Sequence, residues 1–302
     1  MKISGAAGAL SVFIGAVSYG MPGVVLSMAT KSGVRIESLI ATQFLFSFVL
    51  FFMISEFKRD KAGVFHPRDK FIVLVTGVPV LCITYCFYKA VSYIGVPTST
   101  LLMMQSAWIA PVLNAFIKKK KIKRWDIVGF VFIMVGVATS TGIFHGELDI
   151  NYQGFLWGLA ASISYSIVIV SSANVANGVR IIDKSKILTF GAFIASMFLF
   201  NKNIDISPIS ESSAWSVFNA VFASIIPLLL YGFGMPRTDS SLAGMLVTTE
   251  LPAAFLFSYL FLSESITIDQ IIGCVIIIIT IIAPIVVSKC IPKSRSDVNS
   301  SN

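Results

Sequence analysis

The sequence is poor in charge and in the residues that build soluble active sites. Only 13% of its 302 residues are charged, and it has four cysteines and two histidines; soluble domains carry about 25% charged residues. The cysteines are too few for a disulfide framework and match no metal motif with the histidines, so we expect no metal ion and no cofactor. The sequence also lacks a glycine-rich phosphate loop and a serine, histidine and aspartate set, which argues against direct use of ATP and against an enzyme.

Long apolar runs are the main feature that is present. Hydrophobic residues make up 56% of the chain, and the mean hydropathy is +0.85. The runs are about 20 residues long, which is the length of an α-helix that crosses a bilayer. We therefore predict an all-α, polytopic membrane protein with ten transmembrane helices, at approximately 5–28, 36–55, 71–94, 97–117, 125–143, 152–173, 183–200, 214–234, 241–262 and 267–288.

The basic residues are distributed unevenly among the predicted loops. If the N-terminus lies inside, 19 of the 23 lysines and arginines fall on the inner side, including the run Lys118–Arg124, and three fall outside. Cytoplasmic loops collect positive charge in this way, which accounts for the net charge of +8 without a nucleic-acid partner. We expect both termini in the cytoplasm and, because the loops are short, a bacterial cytoplasmic (inner) membrane.

The two halves of the chain contain matching segments in the same order. The matches are Gly8–Gly20 with Gly154–Ser166, Pro111 with Pro252, and Trp125–Gly129 with Asp269–Gly273. They predict one five-helix repeat at 1–146 and a second at 147–290, followed by a disordered cytoplasmic tail at 291–302. Five is an odd number, so the second repeat is inverted in the membrane, and inverted repeats are typical of transporters.

The end of the second half carries the clearest family likeness. Its motifs are Ser240–Ala243, Glu250-Leu251-Pro252, Phe261–Glu264 and Ile271–Gly273. With the repeats, they make the chain resemble the drug/metabolite transporter superfamily in its EamA-type branch, over residues 5–288. The resemblance implies a secondary transporter of small organic metabolites that works by alternating access, with export of amino acids as the implied direction. The sequence departs from the family pattern at Gln43, where many relatives carry an arginine, and at Lys119–Lys121.

Glu250 is the most informative single residue, because it lies in the middle of an apolar span. An ionisable group at that depth is costly, so it should face a cavity or a partner. Burial disfavours the charged carboxylate, which makes Glu250 a candidate proton acceptor or a ligand for a substrate amine. The alternative is a hydrogen-bonded glutamate that holds the bend at Pro252.

Lys89 is the second charge inside a predicted span. A substrate carboxylate could pair with it, but it lies near the outer end of the third span. There its side chain could instead reach the interface or form a structural ion pair.

The remaining candidates are polar, aromatic or proline residues within spans. Polar and aromatic groups together suit a small zwitterion or planar metabolite, although each of them could simply pack or hydrogen-bond between helices. Two prolines in corresponding positions of the repeats could bend their helices beside a central site. These candidates are Gln43, Tyr88, Gln105 and Trp108 in the first half, Tyr19, Tyr165 and Tyr231 on three further helices, and the prolines Pro111 and Pro252.

Two other functions remain open from the sequence. A nucleotide-sugar or phosphorylated-metabolite antiporter would share the architecture but needs several cations in its cavity, and only Lys89 and the nearby Arg237 are candidates. A non-transporting receptor or scaffold would be expected to carry a signalling domain or a long loop. The expected partners are therefore a small-molecule metabolite, the lipid bilayer and protons as a coupling ion.

Overall fold

The computed structural model describes most of the chain. The described residues are 2–57, 65–117, 119, 131–132, 134–136, 138–139, 151–175, 179–201, 211–234, 237–238, 246–247 and 249–290. Most of the predicted fifth span, the start of the ninth, nearly all of Lys118–Arg124 and the tail at 291–302 lie outside these residues.

Every regular element among the described residues is a helix, which confirms the predicted all-α membrane class. The α-helices are α1 (Lys2–Tyr19), α2 (Pro22–Lys31), α3 (Ile36–Phe57), α4 (Pro67–Val75), α5 (Gly77–Met103), α6 (Ser106–Ile117), α7 (Tyr152–Asn174), α8 (Ile181–Phe200), α9 (Glu211–Ala220), α10 (Ile226–Gly234), α11 (Glu250–Phe257) and α12 (Ile268–Cys290). Two π-helical turns, Val221–Ile225 and Ser258–Leu262, connect α9 to α10 and follow α11.

Several of these helices have the length and composition of membrane spans. Five stretches qualify among the described residues: Ala6–Lys31, Ile36–Phe57, Pro67–Met103, Tyr152–Ser171 and Ser213–Tyr231. The longest of them is interrupted near its end, because Gly95 adopts a positive φ of 73° within α5 and Pro97 follows it. The total of ten spans stays a prediction.

The largest helix contacts join the first half of the chain to the second. Helix α5 packs along α7, α3 packs along α8, and α1 packs along α10. The interior holds large apolar side chains such as Phe44, Leu81 and Leu102, whereas Phe57, Phe116 and Phe198 are more than four-fifths exposed. Exposed apolar side chains of this size suit a surface that faces lipid.

Candidate functional site

A small cavity lies where several helices are interrupted. Its volume is about 70 Å³, and it opens beside the break between α1 and α2, the π-helical turn at 221–225 and the start of α11. Interrupted helices expose backbone groups and side chains at membrane depth, which is where transporters bind their substrates. The lining residues are Tyr19, Gly20, Pro22, Gly23, Gln43, Phe44, Val80, Ile83, Thr84, Phe87, Tyr88, Thr100, Met103, Ala223, Ser224 and Glu250.

Glu250 is the charged side chain of this cavity. It is the first residue of α11, follows a turn at Thr249, and is only 2% exposed. A helix N-terminus favours negative charge, while burial disfavours it, so the two effects on the carboxylate oppose each other. Within the described part of the chain, no hydrogen bond or ion pair reaches this carboxylate.

Three phenol groups lie near Glu250, and of these Tyr19 also lines the cavity. Tyr19 on α1, Tyr165 on α7 and Tyr231 on α10 all lie within electrostatic range of its carboxylate. The structure thus brings together four predicted site residues that are far apart in the sequence. The phenol oxygen of Tyr231 is buried without a hydrogen-bond partner among the described residues.

A close approach at Gly20 sets the position of Tyr19. A Cβ atom on Gly20 would lie 2.8 Å from the backbone nitrogen of Ala254 in α11. Only glycine lets the break after α1 rest against the backbone of α11. The contact holds the end of α1, where Tyr19 lies, beside the start of α11, where Glu250 lies.

A buried amide cluster forms another wall of the cavity. Asn219 Nδ2 donates a hydrogen bond to Gln43 Oε1 at 2.7 Å and another to the Tyr88 hydroxyl. The Tyr88 hydroxyl donates to Gln43 Oε1 at 3.3 Å. One turn before Asn219, Ser216 accepts a hydrogen bond from Thr42, which fixes α9 against α3.

The π-helical turn beside the cavity is held by α1. Ser18 Oγ donates a hydrogen bond to the carbonyl oxygen of Phe222 at 3.1 Å. The next two residues, Ala223 and Ser224, line the cavity. Single π-helical turns are frequent at functional sites, because they re-aim side chains and leave carbonyl groups outside the regular ladder.

The structure does not bring the other predicted site residues to the cavity. Lys89 Nζ lies 3.9 Å from Glu37 Oε1 and 5.4 Å from the ring centre of Tyr85. Gln105 and Trp108 bind each other, because Trp108 Nε1 donates to Gln105 Oε1 at 2.9 Å. Gln105 lies in a turn between α5 and α6 rather than within a continuous helix.

The two prolines differ in their placement. Pro252 lies in the first turn of α11, where its missing N–H removes no bond from the helix ladder. Pro111 lies within α6, in the middle of Ser106–Ile117. A role in gating stays a prediction for both.

Some polar residues of the cavity were not singled out from the sequence. Thr84, Thr100 and Ser224 line it, and Asn219 lies behind the Gln43 and Tyr88 side chains. Asn219 could have been predicted from the sequence, because an amide within an apolar span needs a hydrogen-bond partner. Hydroxyl residues are common in membrane helices and bond their own backbone, as Thr100 does to the Val96 carbonyl, so they give no comparable signal.

The lining offers a carboxylate, an amide and hydroxyl groups. None of the described lining residues is a lysine or an arginine. No cluster of three or more metal-ligating side chains is present in the described residues. The site can therefore receive a hydrogen-bonding or cationic group more readily than an isolated anion.

Comparison with known proteins identifies the kind of molecule to which this site belongs. The EamA-like transporter family matches the chain at residues 6–142 and again at 152–284. No curated protein sequence matches the chain. One solved structure, described as the crystal structure of a protein, superposes with a TM-score of 0.65 at 14% identity, over 93% of this chain and 99% of the other. At that identity the likeness shows the fold alone.

Proposed function

The chain belongs to the EamA-like transporter family, and from that premise we propose that it exports small polar metabolites such as amino acids by alternating access. The observation that carries this proposal is the buried Glu250 carboxylate, which lines a cavity at interrupted helices and has three tyrosines within electrostatic range. A substrate ammonium group would supply the positive charge that this carboxylate lacks among the described residues. The membrane is the bacterial cytoplasmic membrane, with both termini inside.

The proposal includes coupling to protons through Glu250. A carboxylate at membrane depth is stable when it is protonated or when it binds a cation, and less stable when it is charged and alone. Exchange of a proton for a substrate ammonium would keep the charge of the Glu250 carboxylate compensated in both loaded states. Alternating access then carries one occupant in each direction.

A phosphorylated substrate or a nucleotide sugar fits this cavity poorly. Such anions are bound by arginine and lysine, and the described lining has neither. Lys89, the cation predicted within a span, lies beside Glu37 instead. The cavity chemistry therefore favours an amine-bearing metabolite.

The first test compares metabolites released by cells. Cells would express the wild-type protein, Glu250→Gln, Glu56→Gln as a control for loss of an exposed glutamate at the end of α3, or an empty vector, at matched levels. We expect amine-bearing metabolites to be enriched in the medium with wild type and Glu56→Gln, but not with Glu250→Gln. Enrichment of phosphorylated compounds alone, or of nothing beyond the empty vector, would contradict the proposal.

Proton coupling is tested with purified protein in liposomes. The substrate found in the first test would be loaded, and its flux measured with and without a pH gradient. Flux through the wild type should increase with the gradient, whereas Glu250→Gln, which lacks both the proton acceptor and the ligand of the ammonium group, should show no gradient-driven flux. An equal response of both proteins to the gradient would rule out Glu250 as the coupling group.

A further inference from the structure

The hydrogen bonds between Asn219, Gln43 and Tyr88 define the direction of the Gln43 amide. The three side chains are 0%, 2% and 1% exposed. Asn219 Nδ2 donates one hydrogen bond to Gln43 Oε1 and one to the Tyr88 oxygen. The Tyr88 hydroxyl also donates a hydrogen bond to Gln43 Oε1. The oxygen of Gln43 therefore accepts two hydrogen bonds from behind the cavity wall.

The Gln43 nitrogen can donate hydrogen bonds to a ligand in the cavity. Gln43 lines the cavity, and no described residue accepts a hydrogen bond from its Nε2. Since Oε1 is held by the two donors behind it, the Nε2 hydrogens face the space that Glu250 also lines.

The opposite arrangement satisfies fewer polar groups. If both amides were reversed, Asn219 Oδ1 would accept from Gln43 and Tyr88, but the two N–H groups of Asn219 would then be buried without acceptors among the described residues. In the structure, the amide atom that is buried away from the cavity without a partner is one oxygen, Asn219 Oδ1. Two buried N–H groups without acceptors cost more free energy than one buried oxygen without a donor. The amide directions in the structure are therefore favoured.

We propose that Asn219 is a positioning residue that turns the Gln43 amide so that its N–H groups bind the carboxylate of a zwitterionic substrate, whose ammonium group binds Glu250. This inference rests on the proposed function and names its substrate class. Both groups line the same small cavity, which is why the proposal assigns them to one bound molecule. A substrate with a carboxylate alone would be repelled by Glu250, and a substrate with an amine alone would leave the Gln43 donors unused.

The test measures equilibrium binding to the purified full-length protein. The probes are the twenty common L-amino acids and, for each one that binds, the amine obtained by removing its carboxyl group. Wild type should bind the amino acid at least about tenfold more tightly than its amine, since a hydrogen bond to a charged group is worth that factor or more.

Asn219→Leu is the decisive variant. A leucine side chain donates no hydrogen bond and adds no charge, so the Gln43 oxygen loses the donor that holds it behind the cavity wall and the amide can turn that oxygen to the cavity. Affinity for the amino acid should fall about tenfold, while affinity for the amine should change by less than about twofold. A purely structural role would weaken both probes equally.

Two further variants keep the test independent of how Asn219→Leu folds. Gln43→Met removes the donors directly and should reproduce the selective loss, and adding Asn219→Leu to it should have no further effect on either probe. Gln105→Met is the matched control, because Gln105 is buried like Gln43, at 1% exposed against 2%, but pairs with Trp108 and does not line the cavity. It should leave the amino-acid preference unchanged.

The failures can be distinguished. If no amino acid or amine binds the wild type, the proposed substrate class is wrong and the role of Asn219 fails with it. If the wild type binds an amino acid and its amine equally, or if Gln43→Met weakens both alike, the proposed function stands and the assignment of Gln43 and Asn219 is overturned.

Discussion

At the scale of single residues, the buried tyrosine hydroxyls of the site are of two kinds. Tyr88 has its hydroxyl in bonds to Gln43 and Asn219. Tyr231 has a buried hydroxyl without a partner among the described residues. A buried hydroxyl left unpaired lowers stability, so its presence beside Glu250 suggests that it serves a ligand rather than the fold.

The same substitution should therefore have opposite effects at these two positions. We expect Tyr88→Phe to reduce stability by about 1–3 kcal/mol, because it leaves partners of the hydroxyl unpaired. We expect Tyr231→Phe to change stability by less than about 0.5 kcal/mol, because it removes a group that has no bond to lose. Thermal unfolding of the purified proteins in detergent measures both, and transport assays should show a loss with Tyr231→Phe despite its normal stability. Normal transport by Tyr231→Phe would assign its hydroxyl no function.

The sequence was informative about which residues matter and silent about which of them meet. Polar groups in apolar spans pointed to Glu250, Tyr19 and Tyr231 because burial at that depth needs a reason. Whether Lys89 would bind substrate or a carboxylate of the protein depended on the neighbouring helix end, where Glu37 lies. No local pattern carries that information, because it depends on how α3 and α5 are aligned.

At the scale of helices, the interruptions were harder to predict than the helices. Hydropathy placed a first span over 5–28, but the helix stops at Tyr19 and restarts at Pro22. The stretch Ala6–Lys31 is apolar on both sides of the break, so a hydropathy average does not detect the break. The contact of Gly20 with the backbone of α11, which accompanies the break, is a tertiary feature that the first helix alone does not encode.

A second close approach brings α8 against the junction of α4 and α5. A Cβ atom on Gly191 would overlap the carbonyl of Leu74, and one on Gly77 would overlap the backbone at Ala192. Small residues let membrane helices come this close, and packing at short range replaces the hydrophobic drive that is absent in lipid.

We expect Gly191→Ala to force these helices apart. Overpacking lowers the free energy of unfolding by about 1–3 kcal/mol where side chains can adjust. Because the added methyl group would meet backbone atoms here, we expect a loss of stability at the upper end of that range or beyond it. The measurement is the thermal midpoint and the monodisperse fraction after extraction in detergent. Phe198→Ala is the control on the same helix, since its side chain is 83% exposed and should tolerate truncation. If Gly191→Ala keeps the wild-type midpoint, the crossing is looser than the structure shows.

At the scale of the whole molecule, the largest helix contacts join one half of the chain to the other. Exchanging the two halves would turn the pair of α1 and α10 into the pair of α7 and α5. The pair of α3 and α8 joins the second helices of the two predicted repeats. An arrangement of this kind agrees with the family match to two stretches of the chain. The boundaries at residues 146 and 147 stay a prediction, since the chain between 140 and 150 lies outside the described residues.

This pairing could not be derived from the sequence, although the repeats could. Matched segments such as Gly8–Gly20 and Gly154–Ser166 showed that the halves are related. They do not specify which helices touch, because the apolar surfaces of the spans are alike and lipid competes for them equally. Contacts of glycines, such as Gly158 with Leu102, supply the specificity and become visible only in three dimensions.

The inverted architecture makes a prediction about the chain ends. Two repeats of five predicted spans each would give an even number of spans, so we expect both termini on one side, and the basic loops predict that this side is the cytoplasm. Reporter fusions at Met1 and after Asn302 should both report the cytoplasm in intact cells, and a fusion at Gly33, in the turn between α2 and α3, should report the outside. Because 19 of 23 basic residues are on the predicted inner side, removing only the charges of Lys118–Lys121 should leave the orientation unchanged. Termini on opposite sides would mean an odd number of spans, and the inverted-repeat arrangement would then be wrong even though the helices themselves are present.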